Sequence, residues 1–199
     1  DVLNVPRHAP AAGAPVHEAL VHARTKRTGA WPTPSAYASD ATIVLIGMRA
    51  SGKSHVGQRL AGLLHRTFLD ADEVFAQLHG DLGAYVQSFG WDAFREAEAQ
   101  ILASLISQHP TGHVLALGGG VVEYAPSRAL LEHVREQVGP VVHIVRSYEA
   151  ISAFLATSDR PAYGEPLSDV YARRLPLYAR AACMETVTAS DTTAEALAR

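Results

Sequence analysis

The sequence predicts an α/β fold in which helices flank a five-stranded parallel sheet, and three observations carry that prediction. From Asp40 onward, short β-rich runs alternate with longer amphipathic stretches, the signature of parallel strands joined by helical crossovers. The first run, Thr42 to Ile46, meets a helical pattern across a loop with glycines at Gly47 and Gly52. The residues before Asp40 show neither pattern. They are rich in Ala, Pro, His and Thr, and Pro6, Pro10, Pro15, Pro32 and Pro34 interrupt any regular element. The chain is therefore expected to divide into a disordered linker, residues 1–39, and a folded domain, residues 40–199.

Taken in order, the apolar Thr42 to Ile46 run places a strand over 42–47, and a helix follows over 53–65. A short run, Thr67-Phe68-Leu69-Asp70, gives a strand over 67–70 and leads into a helix over 72–79. Gly80 to Gly90 is punctuated by glycine and receives no assignment. A longer amphipathic stretch predicts a helix over 92–108, and the apolar Val114 to Leu117 centres a strand over 113–118. A helix over 126–138 precedes a strand over 140–145, and helices over 148–156 and 167–182 precede a last strand over 184–189. Ligands of such open sheets bind beyond the carboxyl ends of the strands. Residues just after each strand are the candidates for function.

Composition narrows the classes. With 199 residues and 48% hydrophobic content, the chain can bury a sizeable core. No run approaches the roughly 18 apolar residues of a membrane span. The net charge of −3 gives no bulk attraction to nucleic acid or a membrane. Cys183 stands alone, which excludes a disulfide framework and a cysteine zinc site and fits a reducing, cytoplasmic setting. Ten histidines show no H-E-x-x-H spacing. There is no signal-peptide pattern, and the absence of an initiator methionine is read as the mark of a piece of a longer polypeptide.

Gly47-Met48-Arg49-Ala50-Ser51-Gly52-Lys53-Ser54 carries glycine, glycine, lysine and hydroxyl at the spacing of a phosphate-binding loop. The glycines permit a turn whose backbone N–H groups face inward, and the following helix directs its positive end to the same point. Lys53 would reach the β- and γ-phosphates of ATP, and the Ser54 hydroxyl would ligate magnesium. The sequence holds two lysines, Lys26 and Lys53, so Lys53 is the one in the folded part.

Asp70 and Asp72 flank the end of the second strand, where alternation would point both carboxylates into one cleft. One could organise the metal's water and the other accept a proton from a substrate hydroxyl, while helix capping is the competing duty for either. Gly118-Gly119-Gly120 follows the third strand and would let backbone approach a ligand closely. Arg95, Arg160 and Arg174 are candidates for a carboxylate or a phosphoryl group, but spacing alone does not select them.

The phosphate loop, Asp70-Ala71-Asp72, Phe94-Arg95-Glu96-Ala97-Glu98, Gly118-Gly119-Gly120-Val121-Val122, Asp159-Arg160-Pro161 and Arg174-Leu175-Pro176-Leu177-Tyr178 together resemble the shikimate kinase family over residues 41 to 190. Ile46-Gly47-Met48-Arg49, Gly90-Trp91 and Arg160-Pro161-Ala162-Tyr163 are more similar to the fungal form, carried inside a pentafunctional arom polypeptide, than to the free bacterial enzyme. The resemblance implies a P-loop kinase fold with a mobile lid over Thr157 to Pro166, and ATP-dependent phosphorylation of the shikimate 3-hydroxyl. It implies that Asp72 binds the ring hydroxyls and serves as base. Arg95 and Arg174 would hold the substrate carboxylate, with Gly118, Gly119 and Gly120 lining the pocket. Arg160 would close over the phosphates with the lid, and Ser54 and Asp70 would serve magnesium. The alternative it raises is a non-catalytic metabolite sensor of the quinate-pathway repressor kind; intact Lys53, Asp72 and Arg95 speak against it. Two departures stand out. His55 replaces a common threonine, which is expected to alter packing behind the loop, and the Tyr148 to Ala156 helix lacks the arginine that bacterial relatives place against adenine.

Overall fold

The computed structural model describes residues 37–158 and 163–187, together with the backbone of residues 25 and 26. Among the described residues six strands form one sheet: β1 Thr25–Lys26, β2 Ile43–Ile46, β3 Thr67–Asp70, β4 His113–Ala116, β5 Val141–Val145 and β6 Met184–Val187. Their spatial order is β1-β6-β5-β2-β4-β3. β2 to β6 are mutually parallel, as the alternation of runs and helices predicts, and β2 sits at the centre with Ile43 opposite Val114 and Val44 opposite Val141. Every residue of β2 is fully buried. That is the pattern of a strand covered on both faces.

The two faces have separate cores. Ile43 and Leu45 pack with Val114, Val142 and Ile144 against Val56, Leu60 and Leu64 of helix α1, Lys53–Leu63, and its end. Val44 and Ile46 point the other way, into a larger cluster with Leu115, Leu117 and Val141. That side is closed by α2 Ala71–His79, α3 Leu82–Gln108, α4 Ala125–His133 and α6 Leu167–Ala181, with α5 Tyr148–Ala156 contributing Ile151.

The stretch left unassigned between Gly80 and Gly90 is largely helical. Asp81 caps it by accepting from the Ala84 N–H at 2.9 Å, and α3 then runs to Gln108 with one break at Gly90, where φ is 83° and ψ 169°. The break and Gly80, at φ 82°, need glycine; Gly83, inside the helix, does not. The helix read over 126–138 is α4 followed by a wider turn, closed by the Gly139 N–H on the Val134 carbonyl at 2.9 Å.

The segment read as a linker contributes two described pieces. Thr25 and Lys26 pair antiparallel with Thr186 and Glu185, adding a short sixth strand to the sheet edge. Tyr37 donates its hydroxyl to the Arg135 carbonyl, and Ser39 accepts from Arg66 at 2.7 Å. Burial raises the Tyr37 hydroxyl well above its ordinary pKa. Tyr37→Phe is expected to destabilise the domain by about 1 kcal/mol, the net worth of one such hydrogen bond, read as a lower midpoint in urea. An unchanged midpoint would mean that Tyr37 only rests on the surface. The rest of residues 1–36 lies outside the described residues.

Candidate active site

The phosphate-binding loop bridges β2 and α1, and two backbone facts explain its glycines. Gly52 caps α1 at φ 94°. At Gly47, φ 149°, an added Cβ would come within 2.5 Å of the Ile144 carbonyl oxygen. Lys53 is 9% exposed; its Nζ donates to the Gly47 and Met48 carbonyls, both at 2.9 Å. The ammonium is thereby held against the loop it serves. Arg49, Ala50, Ser51, Gly52, Lys53 and Ser54 line a cavity of about 930 Å³. Gly47 and Met48 do not line it; the Met48 side chain is buried beneath the loop, against Tyr178. His55 is exposed and lines the same cavity.

The two aspartates reach the cavity by a route other than strand alternation. β3 ends at Asp70, and Asp72 already belongs to the first turn of α2. Asp70 is the cap: Oδ1 accepts from the Asp72 N–H at 3.0 Å and Oδ2 accepts from the Ser54 hydroxyl at 2.6 Å. Capping is thus assigned to Asp70 rather than Asp72. Both residues line the cavity.

Gly118-Gly119-Gly120 leaves β4 beside them. A Cβ at Gly118 would lie 2.9 Å from Asp72 Oδ1 and 2.3 Å from Glu98 Oε1, and one at Gly119 would lie 2.9 Å from the Arg49 nitrogen. At Gly120 it would strike the Arg95 guanidinium at 2.1 Å. The three glycines therefore let the phosphate loop, Asp72 and Arg95 close on one point.

Arg95 and Arg174 converge there. Arg95 donates to Glu98 at 2.8 Å and to Glu123 at 3.4 Å, and its guanidinium lies over Trp91 and Phe94. Arg174, 5% exposed, falls on the buried stripe of α6 with Val170 and Tyr178. It donates to the Gly119 carbonyl at 3.0 Å and to Glu123 at 2.7 Å. Burial raises the Glu98 carboxyl above its ordinary value against the opposing pull of Arg95. Burial also pushes Glu123 up, but the hydrogen bonds and charges of Arg174 and Arg173 outweigh it and hold Glu123 below the ordinary carboxylate range.

Sequence reasoning missed Glu98, Glu123 and Tyr163. Glu98 had a signal, since it interrupts the apolar stripe of Phe94, Ile101, Leu102 and Leu105, where a charge needs a partner. Tyr163 lies beneath both Arg49 and Arg174, at 4.7 and 5.3 Å from ring centre to guanidinium carbon. Arg146, which donates to the Ala50 carbonyl at 2.8 Å, and Phe154 also line the cavity. Arg160 lies outside the described residues. Among the described residues no cluster of His, Cys, Asp and Glu could by itself hold a metal ion, and no helix is long and apolar enough to cross a membrane.

Comparison with known proteins shows a family match. A family model described as shikimate kinase matches residues 49–199. The chain is 62% identical over its whole length to part of a pentafunctional AROM polypeptide from Malassezia globosa, and 50% identical over 80% of its length to that of Mycosarcoma maydis. It spans only 12% and 9% of those polypeptides. Among solved structures, a shikimate kinase from Acinetobacter baumannii in complex with shikimate is 31% identical, with a TM-score of 0.71, over 82% of this chain and 92% of that one.

Proposed function

The chain belongs to the shikimate kinase family, and on that premise we propose that it transfers the γ-phosphoryl group of ATP to the 3-hydroxyl of shikimate, giving shikimate 3-phosphate and ADP. One observation carries the reading. Arg49 to Ser54 of the phosphate loop and the pair Arg95 and Arg174 line one cavity, together with Asp72 and the glycine run.

The backbone N–H groups of Arg49 to Ser54 would cradle the phosphates, and Lys53 would turn from its two loop carbonyls toward the β- and γ-oxygens. Arg95 and Arg174 would hold the substrate carboxylate, with Gly118, Gly119 and Gly120 against the ring. That places a hydroxyl near Asp72, which would take its proton as it attacks. Arg160, assigned by resemblance, would add positive charge as the segment around it closes and excludes water. Arg146 and Phe154, whose ring lies 5.5 Å from the Arg146 guanidinium, would flank the adenine of ATP. The Ser54 hydroxyl and the Asp70 carboxylate are hard oxygen donors beside the loop, which fits magnesium held by Ser54 and through water by Asp70. Magnesium, when bound, neutralises charge on the β- and γ-phosphate oxygens.

The chain would act as a cytoplasmic kinase module of a larger multidomain polypeptide, with residues 40–199 as its domain. Coupled ADP release measured with shikimate, quinate, gluconate and AMP tests the reading. Turnover with shikimate alone is expected. Binding of shikimate or quinate without ADP release would turn the assignment to a metabolite sensor.

A narrower test addresses the arginine pair. Losing a charged hydrogen bond of roughly 1.5–3 kcal/mol predicts a 10- to 150-fold rise in the shikimate dissociation constant for Arg95→Ala. Unchanged affinity would remove Arg95 from the carboxylate site.

A further inference from the structure

The arginine pair assigned to the substrate carboxylate is already bridged by a carboxylate of the protein. Glu123 Oε2 accepts from Arg174 Nη2 at 2.7 Å and from Arg95 Nη2 at 3.4 Å. Its other oxygen faces a third arginine: Oε1 accepts from Arg173 Nε at 2.8 Å. Arg173 in turn gives both terminal nitrogens to Glu165, at 2.6 and 2.7 Å. Glu123 thus stands between two cations of the pocket and one outside it, with a fifth of its side chain exposed.

We propose that Glu123 is an internal competitor for the substrate carboxylate, a residue that sets both affinity and the requirement that a ligand carry a carboxylate. This inference rests on the kinase reading of the same site. A carboxylate entering between Arg95 and Arg174 meets the charge of Glu123 and must share or replace its bonds. The 3.4 Å contact to Arg95 is the weakest of the set and yields first. Arg173 makes the exchange tolerable, because a displaced Glu123 keeps a charged partner through Oε1. A ligand without a carboxylate leaves both arginines on Glu123 and gains nothing from them.

A purely structural Glu123, one that only holds the two guanidiniums in place, makes the opposite prediction. Its loss would loosen the arginines and weaken substrate. Removing a competitor instead strengthens it. The sign of one affinity change therefore separates the two.

The experiment is titration calorimetry on wild type, Glu123→Gln and Arg173→Gln, with shikimate and with its analogue reduced at C1 from carboxylate to primary alcohol. For a partly exposed charge pair the expected change is about fivefold. Glu123→Gln should lower the shikimate dissociation constant by that factor, and Arg173→Gln, at a residue 44% exposed on its side chain, should raise it. The alcohol should respond to Glu123→Gln by less than twofold. Weaker shikimate binding in Glu123→Gln, or an equal change for both ligands, overturns the proposal. If Glu123→Gln does not fold, as judged by its melting transition, unchanged or tighter binding in Arg173→Gln overturns it instead. ADP release by the wild type is scored separately: normal turnover with the wrong sign of affinity change defeats the competitor alone, whereas shikimate binding without turnover defeats the kinase reading alone.

Discussion

Lys53→Met should lower turnover by roughly 10²- to 10³-fold, the usual cost of removing one preorganised charge from a developing transition state. The structure sharpens this expectation. Lys53 is nearly buried, and its Nζ donates to two loop carbonyls that a bound phosphate would rival. Methionine fills the same volume without the ammonium. The Gly47 and Met48 carbonyls would lose that donor, so some loss of stability accompanies the loss of rate, on the order of 1–3 kcal/mol. Pre-steady-state ADP formation with saturating shikimate is the measurement, run beside a melting curve. A folded Lys53→Met protein with wild-type turnover would remove the loop from the chemistry.

The phosphate loop was legible because its chemistry is local. Glycine, lysine and hydroxyl at fixed spacing after an apolar strand dictate backbone geometry without help from the rest of the chain. The five parallel strands were legible for a similar reason, since each is a short apolar run bounded by helix patterns. Their ends were less so: Gly47 at φ 149° departs from the strand geometry, so β2 stops one residue earlier than read. The Leu82 to Phe89 stretch of α3 was missed because Gly83 and Gly90 masked a helix that the Asp81 cap announced. Glu123 was beyond reach altogether. Its partners Arg95, Arg173 and Arg174 are 28, 50 and 51 positions away along the chain, and the packing of both α3 and α6 on the turn after β4 brings them together. Arg95 and Arg174, which resemblance singled out for the substrate carboxylate, both line the cavity. It gave no hint that a carboxylate of the protein already bridges them.

Asp72→Asn tests the chemistry most directly, because binding and proton transfer make different demands on one side chain. The amide keeps the size of the carboxylate and can still hydrogen-bond a ring hydroxyl, but it cannot accept the proton. A general base at this position therefore predicts a fall of about 10²- to 10⁴-fold in turnover. ATP affinity should hold, because the loop residues that would cradle the phosphates are separate from Asp72. The fold should hold as well, since Asp70 and not Asp72 caps α2. Shikimate affinity should fall far less than turnover, and that split between binding and rate distinguishes a base from a positioning residue. Turnover of shikimate by Asp72→Asn at the wild-type rate would leave the kinase assignment standing but pass the hydroxyl proton to another acceptor. A rival carboxylate beside the same glycine is Glu98, whose Oε1 would lie 2.3 Å from a Cβ at Gly118. Glu98 is nearly buried and engaged by Arg95 at 2.8 Å, so replacing Asp72 should not recruit it. The double variant Asp72→Asn, Glu98→Gln is accordingly expected to be no slower in the chemical step than the effects of the two single changes combined.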